Sequence, residues 1–436
     1  MAAELGMQLS SWVSRYLSWE EDLGRPLLLP LAPIDAIVND VSASTGLPSD
    51  QIKIILCFVV TLAVGPLFRS VPRGPPRHIA SLLVGLFFAQ FTLGAAWIHS
   101  VVSSAICYAL IVAAPTRPMP LLVFIVALFF MTVAHIHRMA NPDSAVDYSS
   151  SQMILTMRLT SAAFEVADGR RITRERARAA AGETPKPVSA GRARIEADQA
   201  RHALYSTPDP LTFFSFIMFF GSALVGPPFD LHEYTAATGR NAAPRPSPGA
   251  RPYIKALLSL SFLVLYLVLR EAFPSSRWLT EEFASAPIAA QIGFSWLILL
   301  GERMKYYFIW KITEAGCNAC GFGYTRDEAG REGWEGVRNI SVRGFELAQN
   351  LGEASKEWNS LTGAWLRTCV YERVPKATQM FAIYFVSAFW HGFYPGYYLF
   401  FMSTGLAQHV GKLVRQKCVG VEGEMMGVYA MLDVIL

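Results

Sequence analysis

The chain has 436 residues, 52% of them hydrophobic and 17% charged, with a net charge of +4. A soluble globule carries about a quarter charged residues, so this composition, with its positive mean hydropathy, excludes an ordinary soluble domain. The fold class it predicts is all-α and polytopic in a membrane, because a backbone in lipid must satisfy its own hydrogen bonds.

The first 25 residues mix Glu4, Glu20, Glu21 and Asp22 with polar positions, so they do not read as a secretory signal peptide. The expected organisation is an N-terminal segment over residues 1–50, a membrane domain over 51–414 and a short tail over 415–436. Apolar runs close to bilayer length follow in order: Ile52 to Phe68, Ile79 to Ile98, Val101 to Ala114, Leu121 to Ile136, Leu211 to Val225, Tyr253 to Leu269, Ile288 to Leu300 and Met380 to Met402. They predict about eight to ten spanning or partly inserted helices. Between them, the loop from Gly169 to His202 holds nine Lys/Arg against four Asp/Glu, which places it in the cytosol by the positive-inside rule. The Pro-, Gly- and Ala-rich stretch Ala237 to Pro252 reads as a flexible connector. Thr325 to Lys376 carries eight basic and eight acidic residues and gives no orientation.

Polar groups inside a bilayer are costly, so each is a functional candidate with a structural alternative beside it. His391 lies in "SAFWHGFYPGYYLFF", with Ser387 one helical turn back and Tyr384 two turns back. It reads either as a satisfied structural histidine or as a general base, since a neutral imidazole with a pKa of about 6.5 accepts a hydroxyl proton. In "EWNSLTGAWLRTCVYERV", Trp358, Thr362, Trp365 and Cys369 recur at helical spacing, as in an amphipathic interfacial helix. Asn359 opens this stripe, and its amide suits a carbonyl oxygen in acyl transfer. In "GERMKYYFIWKITEAG", Glu302 and Lys305 are spaced for an ion pair, with Arg303, Lys311 and Glu314 nearby. His135 and His137 sit two apart, on different helix faces, which disfavours a metal site. Cys317 and Cys320 lack a second pair or a nearby His, so they read as small residues of a loop. There is no G-x-S-x-G elbow, no Walker loop, and no His with an Asp five residues on.

Two of these stretches resemble motifs of a known family, the membrane-bound O-acyltransferases, in its lysophospholipid acyltransferase branch. "WHGFYPGYY" (Trp390 to Tyr398) looks like the branch's histidine motif, and "WNSLTGAWLRTCVYER" (Trp358 to Arg373) like its asparagine motif. The likeness continues upstream in "SSQMILTMRLTSAAFEVADG", "PDPLTFFSFIMFFGSALVGPPFDLHEY" and "RMKYYFIWKITEAG", and departs at the C-terminus, where 45 residues follow His391 and "VGVEGEMMGVYAMLDVIL" reads as a weak helix.

The resemblance implies a multi-helix bundle around a central reaction chamber in the endoplasmic reticulum membrane. His391 and Asn359 are its implied catalytic pair. Trp358, Trp390, Tyr394, Lys305, Tyr306 and Arg367 are the candidate substrate contacts. The implied reaction moves a fatty acyl group from acyl-CoA to the free hydroxyl of a lysophospholipid. It needs no metal or bound cofactor, CoA arriving with the substrate. Membrane lipids are the other expected partners, and nucleic acid is not one. Two alternatives stand beside it: another acceptor (a sterol, diacylglycerol or a protein), or a transporter that uses His391 and the Glu302 to Glu314 cluster.

Overall fold

The computed structural model describes residues 32–114, 117–141, 147–183 and 188–418. Residues 1–31, most of the expected N-terminal segment, and 419–436, most of the expected tail, lie outside the described residues. The described chain is mainly helical, with one two-residue β-pair, Thr325–Arg326 against Glu332–Gly333.

After a first helix, α1 (Ala32–Thr45), comes α2 (Ser49–Ser70), with Asp50 in its first turn and Arg69 in its last, each placed to complement the helix dipole. Two prolines start α3 (Pro75–Leu93), where a missing N–H costs nothing. A short break at Gly94–Ala96 turns the chain into α4 (Trp97–Ala113). The next helix, α5 (Met119–Ala140), carries His137 and Arg138 in its last turn. Among the described residues, four stretches are long and apolar enough to cross a membrane: 49–70, 75–113, 119–140 and 251–279.

Three expected runs take another form. Leu211 to Val225 yields only the eight-residue α8 (Pro210–Ile217) before the chain turns. Ile288 to Leu300 opens a 32-residue helix, α12 (Ile288–Ala319), that continues through Glu302, Lys305 and Glu314. Met380 to Met402 breaks at Gly392 into α16 (Gln379–His391) and α17 (Pro395–Cys418).

The expected cytosolic loop Gly169 to His202 is helical too. Its first half is the end of α6 (Ser149–Ala180), and its second half contains α7 (Ala190–His202). α6 is the centre of the molecule. Its buried positions include Gln152, Thr156, Arg158, Thr160, Glu165 and Asp168, a polar set that packs because each neighbour supplies a hydrogen bond. Arg158 donates to the carbonyls of Phe216 and Ile217, both at 2.9 Å, and to the Ser222 hydroxyl. Glu165 accepts the backbone N–H of His232 at 3.1 Å; His232 lies in α9 (Leu231–Thr238).

The main core lies where α3, α4, α5 and α6 meet α8 and α9. A second cluster joins α2 to α10 (Arg251–Ala272) and α12. The outward side of α10, with Ile254, Leu257 and Val264 each more than 60% exposed, is the surface expected of a lipid-facing helix. The expected connector Ala237 to Pro252 is tethered instead: Arg245 forks onto Glu233 at 2.7 and 2.9 Å, and Arg73 reaches the Ala242 carbonyl at 2.6 Å.

Candidate active site

A short helix, α11 (Glu281–Ser285), precedes α12, and between α12 and the last two helices come α13 (Val342–Glu346), α14 (Leu351–Glu357) and α15 (Ser360–Cys369). Asn359 sits between α14 and α15 with φ 47° and ψ 46°, the one non-glycine positive φ among the described residues. Asn tolerates this left-handed conformation better than most residues. Its side-chain oxygen accepts from Asn339 Nδ2 and from Thr362 Oγ1, both at 2.8 Å. Asn339 is buried, and its own oxygen accepts the Leu361 N–H at 3.1 Å. Because two donors already occupy the Asn359 oxygen, its Nδ2 is the group left to donate, and no described residue accepts from it. Asn339 was not among the sequence candidates. A single Asn in a polar stretch gives no signal until its partner twenty residues on is in view.

α15 does not lie at an interface as an isolated amphipathic helix. It packs along α6: Thr362 Oγ1 meets Met157 Sδ at 3.6 Å, the Trp365 indole donates to Thr160 Oγ1 at 2.8 Å, and Cys369 approaches Ser161 at 3.8 Å. Beyond its end, Arg373 forks onto Asp168 at 3.0 and 2.7 Å.

His391 is the last residue of α16. Gly392 follows with φ 120° and ψ −166°, a conformation open to glycine and strained for other residues. The His391 ring lies against Phe401 at 4.9 Å, Tyr397 at 5.4 Å and Trp390 at 4.8 Å, and neither ring nitrogen hydrogen-bonds a described residue. Trp390 is fixed twice, by its indole on the Met153 carbonyl at 3.0 Å and by packing 6.2 Å from Trp365. His135 Nε2 bonds the Trp390 carbonyl at 3.0 Å. So "HIHRM" contributes a clamp on the residue before His391, a role hidden by the long sequence separation of the partners. His391 and Asn359 share no hydrogen bond; they are joined through the packed cluster of α6, Trp365 and Trp390.

The other candidates divide. Trp358 stands beside Asn359 in an aromatic group with Tyr306, Tyr307, Trp310 and Phe345, at centroid distances of 4.8 to 6.0 Å. Lys305 lies 5.4 Å from the Tyr306 ring and pairs with Glu302, as its spacing predicts. Arg367 is held elsewhere, by Asp198 at 2.7 Å and Glu372 at 3.2 Å. Tyr394 is exposed, 6.3 Å from the Tyr397 ring. Glu314 is buried between Lys255 at 2.6 Å and Lys311 at 2.9 Å, and Arg303 pairs with Glu346 at 3.0 Å. The charges on α12 therefore form a paired structural network.

Cys317 and Cys320 are buried at and just beyond the end of α12, and Cys317 Sγ donates to the Gly221 carbonyl at 3.3 Å. Among the described residues, His202, Asp230 and His232 have donor atoms within 4.8 Å of one another, but Asp230 is already bonded to His202 at 2.6 Å. That bond raises the His202 pKa above its ordinary value, partly offset by burial. Burial pushes the Asp230 carboxyl up, yet its bonds to His202 and to the Glu233 N–H outweigh that and hold it below the usual range.

Comparison with known proteins agrees with the two motifs. The sequence pattern of the membrane-bound O-acyltransferase family matches residues 119–418. The chain is 31% identical to the lysophospholipid acyltransferase of Schizosaccharomyces pombe, over 88% of this chain and 75% of that protein. It is 28% identical to membrane-bound glycerophospholipid O-acyltransferase 1 of Homo sapiens, over 87% and 78% respectively. It is also 28% identical to lysophospholipid acyltransferase 2 of Arabidopsis thaliana, over 85% and 79%. With 300 of its 436 residues inside the family pattern, His391 and Asn359 among them, this integral membrane protein belongs to the membrane-bound O-acyltransferase family.

Proposed function

We propose that the protein transfers a fatty acyl group from acyl-CoA to the free hydroxyl of a lysophospholipid, in the endoplasmic reticulum membrane. The observation that carries the reading is the extended similarity to proteins named lysophospholipid acyltransferase, over most of both chains. The surroundings of the two motif residues support it.

In this reading an unbonded nitrogen of His391 takes the acceptor's hydroxyl proton as the oxygen attacks the thioester carbonyl. The carbonyl oxygen becomes an oxyanion, and Asn359 Nδ2, its own oxygen anchored by Asn339 and Thr362, donates to it. Collapse reforms the carbonyl, breaks the carbon–sulfur bond and releases CoA thiolate, which takes the proton back from His391. The aromatic walls around His391 exclude water, which would otherwise hydrolyse the thioester. No resident metal or cofactor enters this scheme.

The test is acyl transfer from labelled oleoyl-CoA to a panel of lysophospholipids, diacylglycerol and sterol, in membranes holding equal amounts of wild type and His391→Ala. Product on a lysophospholipid that disappears in the variant is expected. Product on diacylglycerol or sterol alone, or none from well-inserted wild type, would refute the reading.

A further inference from the structure

The end of α7 meets the start of α9 at three side chains that can ligate a metal. His202 is the last residue of α7, Asp230 caps the N-terminus of α9, and His232 lies in its first turn. One ligand atom of each lies within 4.8 Å of the other two. Bonds of about 2.1 Å to imidazole nitrogen and carboxylate oxygen place tetrahedral ligands about 3.4 Å apart, so small side-chain rotations bring the three to that spacing. His202 is half exposed and the other two are part-buried, which leaves an approach from water and room for a water ligand. The supports around the ligands are already in place. The second oxygen of Asp230 accepts the Glu233 N–H at 2.7 Å, and the backbone N–H of His232 is held by buried Glu165 at 3.1 Å; outer contacts of this kind orient metal ligands. An ion pair alone needs only His202 and Asp230, in contact at 2.6 Å. It leaves the His232 ring, 5.8 Å from that of His202 and without a hydrogen-bond partner among the described residues, unexplained.

We propose that His202, Asp230 and His232 form a zinc site that ties the end of α7 to the start of α9, with water as the fourth ligand. Two imidazoles and one carboxylate suit zinc, whereas calcium and magnesium favour all-oxygen shells of six or more ligands. Zinc takes the place of the proton between His202 and Asp230, and that proton leaves to water; the metal-free protein keeps the ion pair. The tie is structural. α7 braces the asparagine-motif segment, through Asp198 on Arg367 at 2.7 Å and Gln199 on Glu372 at 3.3 Å. Just past His202 the chain crosses α6, where the Leu204 N–H donates to the Glu165 carbonyl at 3.0 Å. A metal at this corner therefore fixes the brace to the central helix.

The test uses the full chain without a polyhistidine tag, in phosphatidylcholine nanodiscs, stripped with chelator and titrated with zinc chloride by calorimetry. Wild type should bind one zinc per chain and melt at a higher temperature once loaded. His202→Gln, Asp230→Asn and His232→Ala should each weaken binding by about tenfold or more, since even outer partners of a metal site are worth that much. Asn still caps α9, and His232→Ala keeps the His202–Asp230 contact, so both variants should melt near wild type in chelator while losing the zinc-dependent rise. His409→Gln removes an exposed histidine elsewhere and should change nothing. Absent binding by wild type, binding unchanged in His232→Ala, or zinc bound without a rise in melting temperature would each overturn the proposal.

Discussion

Asn359→Asp separates the donor role of Asn359 from its place in the fold. The substituted oxygen still accepts from Asn339 and Thr362, each at 2.8 Å in the parent, and Asp shares with Asn its tolerance of the left-handed backbone at φ 47°. What disappears is Nδ2, the group proposed above to donate to the developing oxyanion. One such donor is worth about 3 kcal/mol, or about a hundredfold in kcat. Because Asp also brings a negative charge, Asn359→Gly is the neutral companion. It suits the backbone but forfeits two hydrogen bonds, for about 2 kcal/mol of stability. Both variants should lose about a hundredfold in the initial rate of oleoyl transfer at saturating substrate, and only the glycine variant should melt clearly lower. If Asn359→Asp, well folded, kept more than about a tenth of the wild-type rate, the amide would not be the oxyanion donor.

Trp365→Ala should cost about 3 kcal/mol or more in detergent melting and lower kcat as well, since Trp390, next to His391, packs on that ring. Gly85→Ala should abolish most folded yield by size-exclusion chromatography, because a Cβ there would lie 1.6 Å from the Met218 carbonyl oxygen, and α3 and α8 would have to part. His202→Gln tests the pair with Asp230. The His202 pKa is raised, so its contribution is full below about 6.5 and fades as pH rises through the folded value; that of Asp230 is lowered, so its share is lost only below about 3.9. The melting gap between wild type and His202→Gln should therefore be larger at pH 6 than at pH 9, and a gap growing toward pH 9 would contradict this assignment.

The membrane helices were legible where one side faces lipid, since uninterrupted apolar runs mark α2 to α5 and α10. α6 was not, because its buried face is written in Thr, Gln, Arg and Glu that neighbouring helices satisfy, and composition alone reads such a segment as surface. His391 and Asn359 stood out as polar residues inside otherwise explicable stretches. Asn339 did not, and His135 was weighed only as a metal ligand, because what they do is hold another residue's oxygen or carbonyl, a property of a pair distant in sequence. Arg367, charged and within the asparagine motif, was a reasonable substrate contact on sequence grounds, but the structure ties it to Asp198 and Glu372.

The continuity of α6 also constrains how this chain can vary. Thr362, Trp365 and Arg373 meet one unbroken helix of 32 residues at Met157, Thr160 and Asp168, so spacing along it is fixed by rotation as well as by distance. Inserting one residue between Met157 and Asp168 would advance everything beyond it by about 1.5 Å and swing it by about 100°, carrying Asp168 away from Arg373. Substitutions along that stretch can be absorbed one side chain at a time, whereas an insertion or deletion there acts on every contact at once.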